Sequence, residues 1–74
     1  MREIRWESKR RYYTARLSQD LLGDWVIERA WGGLFNQMGN TAQDVASSYR
    51  EAVTAMVRIN KERRARRYGI VQSR

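Results

Sequence analysis

The chain contains no cysteine, no histidine and no proline among its 74 residues. Disulfide bonds, zinc fingers and other Cys/His metal sites are therefore excluded. The side chains most used as bases and nucleophiles at neutral pH are absent, and no pair of carboxylates has the spacing of an acid/base dyad. We predict a protein that is not an enzyme and that uses no cofactor or metal. Its stability must come from packing, which an apolar content of 42% supports.

Long apolar runs are also missing. No stretch of about 18 apolar residues occurs, so no membrane-spanning helix is expected. The first residues are strongly charged rather than apolar, which predicts a cytoplasmic protein without a signal peptide. The length allows one hydrophobic core, so residues 1–74 are predicted to form a single domain.

Negative charge is scarce. Fifteen basic residues, only two of them lysine, face eight acidic ones and give a net charge of +7. Residues 1–46 hold seven basic and six acidic side chains, whereas residues 47–74 hold eight basic and two acidic ones. Such asymmetry indicates a polyanionic partner, and arginine is well suited to phosphate because its planar fork donates two hydrogen bonds at once. Nucleic acid is the first expectation from this asymmetry and an anionic membrane surface the second.

Alternating apolar and polar residues fill the first half of the chain. The pattern predicts strands at residues 4–6, 12–18 and 24–32, with a weaker fourth strand at 41–46. One face of the second strand carries Tyr13, Ala15 and Leu17, and one face of the third carries Trp25, Ile27, Arg29 and Trp31. Residues 21–24 form a predicted turn in which Gly23 supplies a positive φ. Trp6 and Trp25 are predicted core residues.

A helix is predicted to follow. Ser48 with Glu51 three residues later matches a capping box. One arc of the helix is apolar, comprising Tyr49, Ala52, Val53, Met56, Val57 and Ile59. On the extended helical wheel Arg63, Arg64 and Arg67 point the same way, and unpaired guanidinium groups are costly to bury. The helix is therefore expected either to end near Glu62 or to overhang the sheet edge, with residues 68–71 as a last strand. The predicted class is α+β: a small twisted antiparallel sheet of four to five strands packed by one helix.

Several stretches of the sequence resemble the WGR domain. They are residues 11–13 (Arg-Tyr-Tyr), residues 22–27 (Leu-Gly-Asp-Trp-Val-Ile), the pair Trp31-Gly32, the pair Glu51-Ala52 at the start of the helix, and Tyr68 after its basic end. The resemblance covers roughly residues 4–71 and is nearest to the stand-alone bacterial form. It implies a small sheet packed by one helix, and binding to DNA near the exposed end of a broken strand, as in the poly(ADP-ribose) polymerases that respond to DNA breaks.

Three positions differ from the family pattern. Gly33 stands where the family has its signature arginine, so that arginine's role does not transfer. Gly39-Asn40 replaces a glycine-glutamine pair, and Tyr68-Gly69 appears in the opposite order. The roles of Trp31 and Gly32 transfer directly, and that of Tyr68 approximately.

Trp31 admits two interpretations. An indole exposed at a strand end stacks on a terminal base, whereas an indole on the same face as Trp25 belongs to the core.

The backbone of Gly32 and Gly33 either approaches a phosphate or simply makes a hairpin turn. Phe35 and Met38 either form a wedge against an unstacked DNA end or fold back as a small satellite cluster, and we favour the second.

The basic segment at residues 61–67 is the strongest indication of function. Favourable interaction with the helix dipole accounts for two or three cations at a helix C-terminus, and this segment has five. We predict a nucleic-acid-binding module that binds the backbone of duplex DNA near nicks or ends without base specificity. The predicted binding residues are Trp31, Gly32, Lys61, Arg63, Arg64, Arg67 and Tyr68. The alternative is an adaptor whose basic face docks an acidic protein. No membrane partner is expected, because the outer face of the helix is charged.

Overall fold

Five strands form one antiparallel sheet, and one helix packs on one of its faces. The computed structural model describes residues 2–74, so Met1 of the predicted 1–74 domain lies outside the described residues. In chain order the elements are β1 (Arg2–Glu7), β2 (Arg11–Gln19), β3 (Trp25–Gly33), β4 (Gly39–Ala46), α1 (Tyr49–Ala65) and β5 (Gly69–Ser73). The spatial order is β4-β3-β2-β1-β5. The predicted α+β fold is confirmed.

The β2–β3 turn sets the register of the sheet centre. Asp20 holds this turn, because its Oδ1 accepts hydrogen bonds from the backbone N–H groups of Leu22 and Asp24, each at 2.9 Å. Gly23 has a φ of 87°, as predicted, so a residue with a Cβ would be strained there. The first pair of the hairpin is Gln19 opposite Trp25. Every later pair of β2 and β3 follows from that closure.

The core lies between the helix-facing side of the sheet and the inner face of α1. The buried cluster consists of Trp6, Tyr13, Ala15, Leu17, Ile27, Ala52, Met56 and Ile59. Trp6 is completely buried, and its indole N–H donates to Asn60 Oδ1 at 3.0 Å. A satisfied indole of this kind is the usual condition for burying tryptophan. Trp25 is half-buried against the cluster, with its ring edge-on to Tyr49 at 4.9 Å.

The start of α1 confirms half of the predicted capping box. Ser48 Oγ accepts from the backbone N–H of Glu51 at 3.1 Å, which satisfies one free donor of the first turn. The Glu51 carboxylate does not reach back to the Ser48 N–H, because it accepts a hydrogen bond from the Ser47 hydroxyl instead.

The end of α1 is a Schellman motif. Tyr68 N–H bonds to Arg63 O at 2.9 Å and Arg67 N–H to Arg64 O at 3.0 Å, the two hydrogen bonds that define this motif. Arg67 occupies the left-handed position with a φ of 68°, which glycine usually fills. The helix thus ends at Ala65, beyond Glu62. The prediction that Arg67 continues the apolar arc is wrong, because Arg67 lies outside the helix.

No helix within residues 2–74 is long and apolar enough to cross a membrane.

Candidate nucleic-acid interface

An aromatic row crosses the helix-facing side of the sheet from β1 to β3. Trp6 lies opposite Tyr13, and Tyr13 lies opposite Trp31. The rings of Trp6 and Tyr13 meet edge-on at 5.9 Å, whereas those of Tyr13 and Trp31 stack at 5.8 Å with 14° between their planes. Trp6 is 0% exposed, Tyr13 7%, and Trp31 is half-buried. Trp31 is therefore the open end of a row whose other end is core.

The last turn of α1 covers Tyr13. The Arg63 guanidinium carbon lies 4.3 Å from the centroid of the Tyr13 ring and 5.1 Å from that of Tyr68. Both distances are within the range of cation–π attraction. The Arg63 Nε atom is buried and has no hydrogen-bond partner among residues 2–74. Arg63 is thus held in place by ring faces, and its positive charge is not neutralised by a carboxylate.

Arg29 is fixed beside Trp31 on β3. Its Nε lies 2.8 Å from Asp44 Oδ2, its Nη2 donates to Asp44 Oδ1 at 3.4 Å, and its Nη1 donates to the Tyr13 hydroxyl at 3.3 Å. The hydrogen bond with Tyr13 is the main cause that raises the pKa of Arg29 above its ordinary value. Burial opposes this rise, and the charge of Asp44 adds a smaller contribution to it. Arg29 is permanently charged, and Asp44 balances much of that charge. Its guanidinium carbon is 5.7 Å from the Trp31 ring centroid.

These side chains border an open cleft of about 770 Å³ between the end of α1, the start of β2 and the β3–β4 loop. We call it the arginine cleft. Its charged side chains are Arg10, Arg11, Arg29, Arg63, Arg66 and Glu62, and its aromatic side chains are Tyr13, Trp31 and Tyr68. The cleft is open to solvent, so it suits part of an extended ligand.

The arginine cleft is strongly positive. The ion pairs Arg5–Glu7 and Arg29–Asp44 use no carboxylate of the cleft. The other four cleft arginines have no ion-pair partner in the described chain, and they are Arg10, Arg11, Arg63 and Arg66. The only negative charge of residues 2–74 that lines the cleft is the carboxylate of Glu62. A concave surface with one sign of charge concentrates a counter-charged ligand.

Two glycines allow the loop at the cleft rim to close tightly. A Cβ on Gly32 would lie 2.5 Å from the carbonyl oxygen of Met38, and a Cβ on Gly33 would overlap the Asn36 side chain. The Gly33 N–H donates to Met38 O at 3.0 Å. This N–H is used by the loop itself, which favours the hairpin interpretation of Gly33 over phosphate binding.

Four of the predicted binding residues meet in the arginine cleft, namely Trp31, Gly32, Arg63 and Tyr68. The other three, Lys61, Arg64 and Arg67, are exposed and do not line it. On a helix a two-residue step turns the side chain by about 200°, so Lys61 lies on the side of α1 opposite Arg63.

The predicted binding residues did not include Arg10, Arg11, Arg29 and Arg66, which also line the cleft. Of these, Arg66 belongs to the basic segment at residues 61–67. The position of Arg11 could have been predicted from the strand register. A hairpin that closes at residues 20–24 places Arg11 opposite Gly33, at the rim of the cleft. No comparable signal exists for the Arg29–Asp44 pair, since the register of β4 depends on a longer loop.

The β3–β4 loop carries exposed apolar side chains at the mouth of the cleft. Phe35 is 82% exposed and Met38 is 78% exposed. The expectation that they fold back as a satellite cluster is therefore wrong, because neither ring nor thioether is covered. Their role as a wedge stays a prediction.

Comparisons with protein-family models, with curated proteins and with solved structures give no significant match to this chain. The resemblance to the WGR domain therefore stays a prediction, carried by the residues quoted above. The arrangement of the site rests on its own geometry.

Proposed function

We propose that the chain is a non-enzymatic module that binds the backbone of duplex DNA near nicks or ends, without reading base sequence. The observation that carries this proposal is the half-buried indole of Trp31 beside four arginines that have no carboxylate partner. Guanidinium groups bind phosphates in any sequence, so these contacts position the duplex and do not select bases.

The preference for a nick or end comes from Trp31. One face of its ring rests on Tyr13, which fixes the orientation of the indole before a ligand arrives. A base inside a continuous duplex is stacked on both sides and has no face to offer. A base at an interrupted strand has one free face, and stacking on an aromatic side chain is worth about 1–3 kcal/mol per base in single-stranded complexes.

Fluorescence anisotropy with nicked, blunt-ended and intact circular duplexes at two salt concentrations tests the proposal. Four to five phosphate contacts predict a log–log slope of affinity against salt of about −3.6 to −4.5. The nicked and blunt-ended duplexes should bind more tightly than the intact circle at both salt concentrations. Equal binding to all three DNAs, or a slope near zero, contradicts the proposal.

The adaptor alternative has one observation in its favour. Gly33 offers no side chain to a phosphate, and its N–H is already bonded to Met38 O. An acidic protein surface could then be the counter-charge of the arginine cleft. Capture from lysate with and without nuclease treatment separates the two, because a protein partner survives nuclease whereas one bridged by nucleic acid is lost.

A further inference from the structure

The side of α1 that faces away from the sheet carries a second group of positive charges. They are Arg50, Lys61 and Arg64, all exposed, and we call them the outer ridge. At 3.6 residues per turn they fall within about 60° of the helix circumference. Arg50 and Arg64 are 14 residues apart, which corresponds to about 21 Å along the helix axis.

Charges of the outer ridge are not balanced by the protein. None of the three cations forms an ion pair within residues 2–74. The two carboxylates of α1 lie at the flank of the ridge, where Glu51 accepts a hydrogen bond from Ser47 and Glu62 lines the arginine cleft.

Helix stability does not account for the outer ridge. Cations near a helix C-terminus are favourable, which covers Lys61 and Arg64. Arg50 lies in the first turn, where the helix dipole disfavours a positive charge. A line of unpaired cations that includes an unfavourable position indicates a surface that meets a polyanion.

The outer ridge and the arginine cleft are on opposite sides of α1. Arg64 and Arg66 are two residues apart and so differ by about 200° in direction, and only Arg66 lines the cleft. A straight duplex seated in the cleft does not reach the outer ridge without bending around the helix, and bending DNA costs free energy.

We propose that the outer ridge binds a second segment of duplex DNA, so that one molecule bridges two duplexes. This inference rests on the proposed DNA-binding function of the cleft. The second contact is to phosphates alone, because the ridge has no aromatic side chain on which a base could stack. It therefore shows no preference for nicks.

A bead assay tests the bridge. A nicked duplex is fixed to beads, and retention of a fluorescent intact duplex of unrelated sequence is measured with the protein present. The ridge variant is Arg50→Gln, Lys61→Gln, Arg64→Gln, and the matched control is Arg2→Gln, Lys9→Gln, Arg74→Gln, which removes the same charge from exposed positions elsewhere. The ridge variant should lose at least tenfold in retention, whereas the control should retain bridging within about threefold.

Two further measurements show whether a loss of retention in the ridge variant comes from a lost second contact or from weaker binding in the cleft. Anisotropy with the nicked duplex alone should show that the ridge variant binds it within about threefold of the unchanged protein. Native mass spectrometry should show one protein with two duplexes. Unchanged retention in the ridge variant, a parallel loss of binding to the single duplex, or a complex of two proteins with two duplexes overturns the bridge. Failure of the unchanged protein to bind any duplex overturns the proposed function as well.

Discussion

Tyr13 and Trp31 are cross-strand neighbours whose rings stack 5.8 Å apart and within 14° of parallel. Tyr13 is buried, because the Arg63 guanidinium lies over its ring, whereas Trp31 is half-buried at the rim of the arginine cleft. The stacking with Tyr13 anchors the Trp31 indole to the core. It also fixes the orientation of the indole before a ligand binds. This relationship links the fold to the proposed binding of DNA ends.

Replacing Trp31 by Ala should remove the preference for nicked DNA and leave the fold intact. Loss of the stacking platform should weaken binding to the nicked duplex by about 1–3 kcal/mol, and binding to intact duplex much less. Loss of the Tyr13–Trp31 stack should lower the free energy of unfolding by roughly 1–2 kcal/mol. Anisotropy and urea denaturation measure the two effects.

The matched variant is Trp6→Ala at the buried end of the same row. Its indole is fully enclosed and bonded to Asn60, so it should cost roughly 3–5 kcal/mol of stability, or prevent folding. If Trp31→Ala is as destabilising as Trp6→Ala, Trp31 is a core residue and its assignment to the site is wrong.

Arg66 and Arg67 are sequence neighbours with different expected roles. Arg66→Gln should weaken DNA binding and make the salt slope less negative by about 0.9, because Arg66 lines the cleft. Arg67→Gly should leave affinity within about threefold and stabilise the fold by about 1 kcal/mol, since glycine relieves the left-handed backbone at that position.

Arg67→Gln separates charge from backbone strain, because it removes the charge and keeps the side chain. It should resemble the unchanged protein in melting temperature. A loss of affinity in Arg67→Gln as large as that in Arg66→Gln means that the binding surface extends past the Schellman turn, contrary to the site described here.

Glu62 is the one carboxylate of the arginine cleft, and its removal should tighten binding. Glu62→Gln should raise affinity for duplex DNA by about three- to tenfold at low salt, with a smaller gain at higher salt because screening weakens the repulsion. Glu28→Gln makes the same change in net charge at an exposed position of β3 outside the cleft. Equal gains for both variants would indicate a non-specific effect of net charge.

Local patterns were sufficient for much of the fold. Alternation on β2 and β3 predicted the buried faces, and Gly23 predicted the turn between them. Ser48 gave the start of α1. These features depend on neighbouring residues, which is why one sequence reveals them.

The candidate site was less accessible to sequence reasoning. The helical wheel assumed that α1 continues through residue 67, whereas the Schellman turn reverses the chain after Ala65 and removes Arg67 from the arc. The closeness of Arg10 and Arg66 depends on where the end of the helix meets the start of β2. Contacts of this kind are set by tertiary packing and leave no periodic signal.

The most direct test of the central claim observes the three indole N–H groups by two-dimensional NMR while nicked duplex is added. The Trp6 N–H is bonded to Asn60 in the core, so it serves as an internal reference. The Trp31 N–H has no acceptor among residues 2–74 and is not buried, so it should report a ligand in the cleft. We predict a large shift of the Trp31 signal with nicked duplex, a smaller one with intact duplex, and none for Trp6. Saturated binding that leaves the Trp31 signal unmoved would contradict the account.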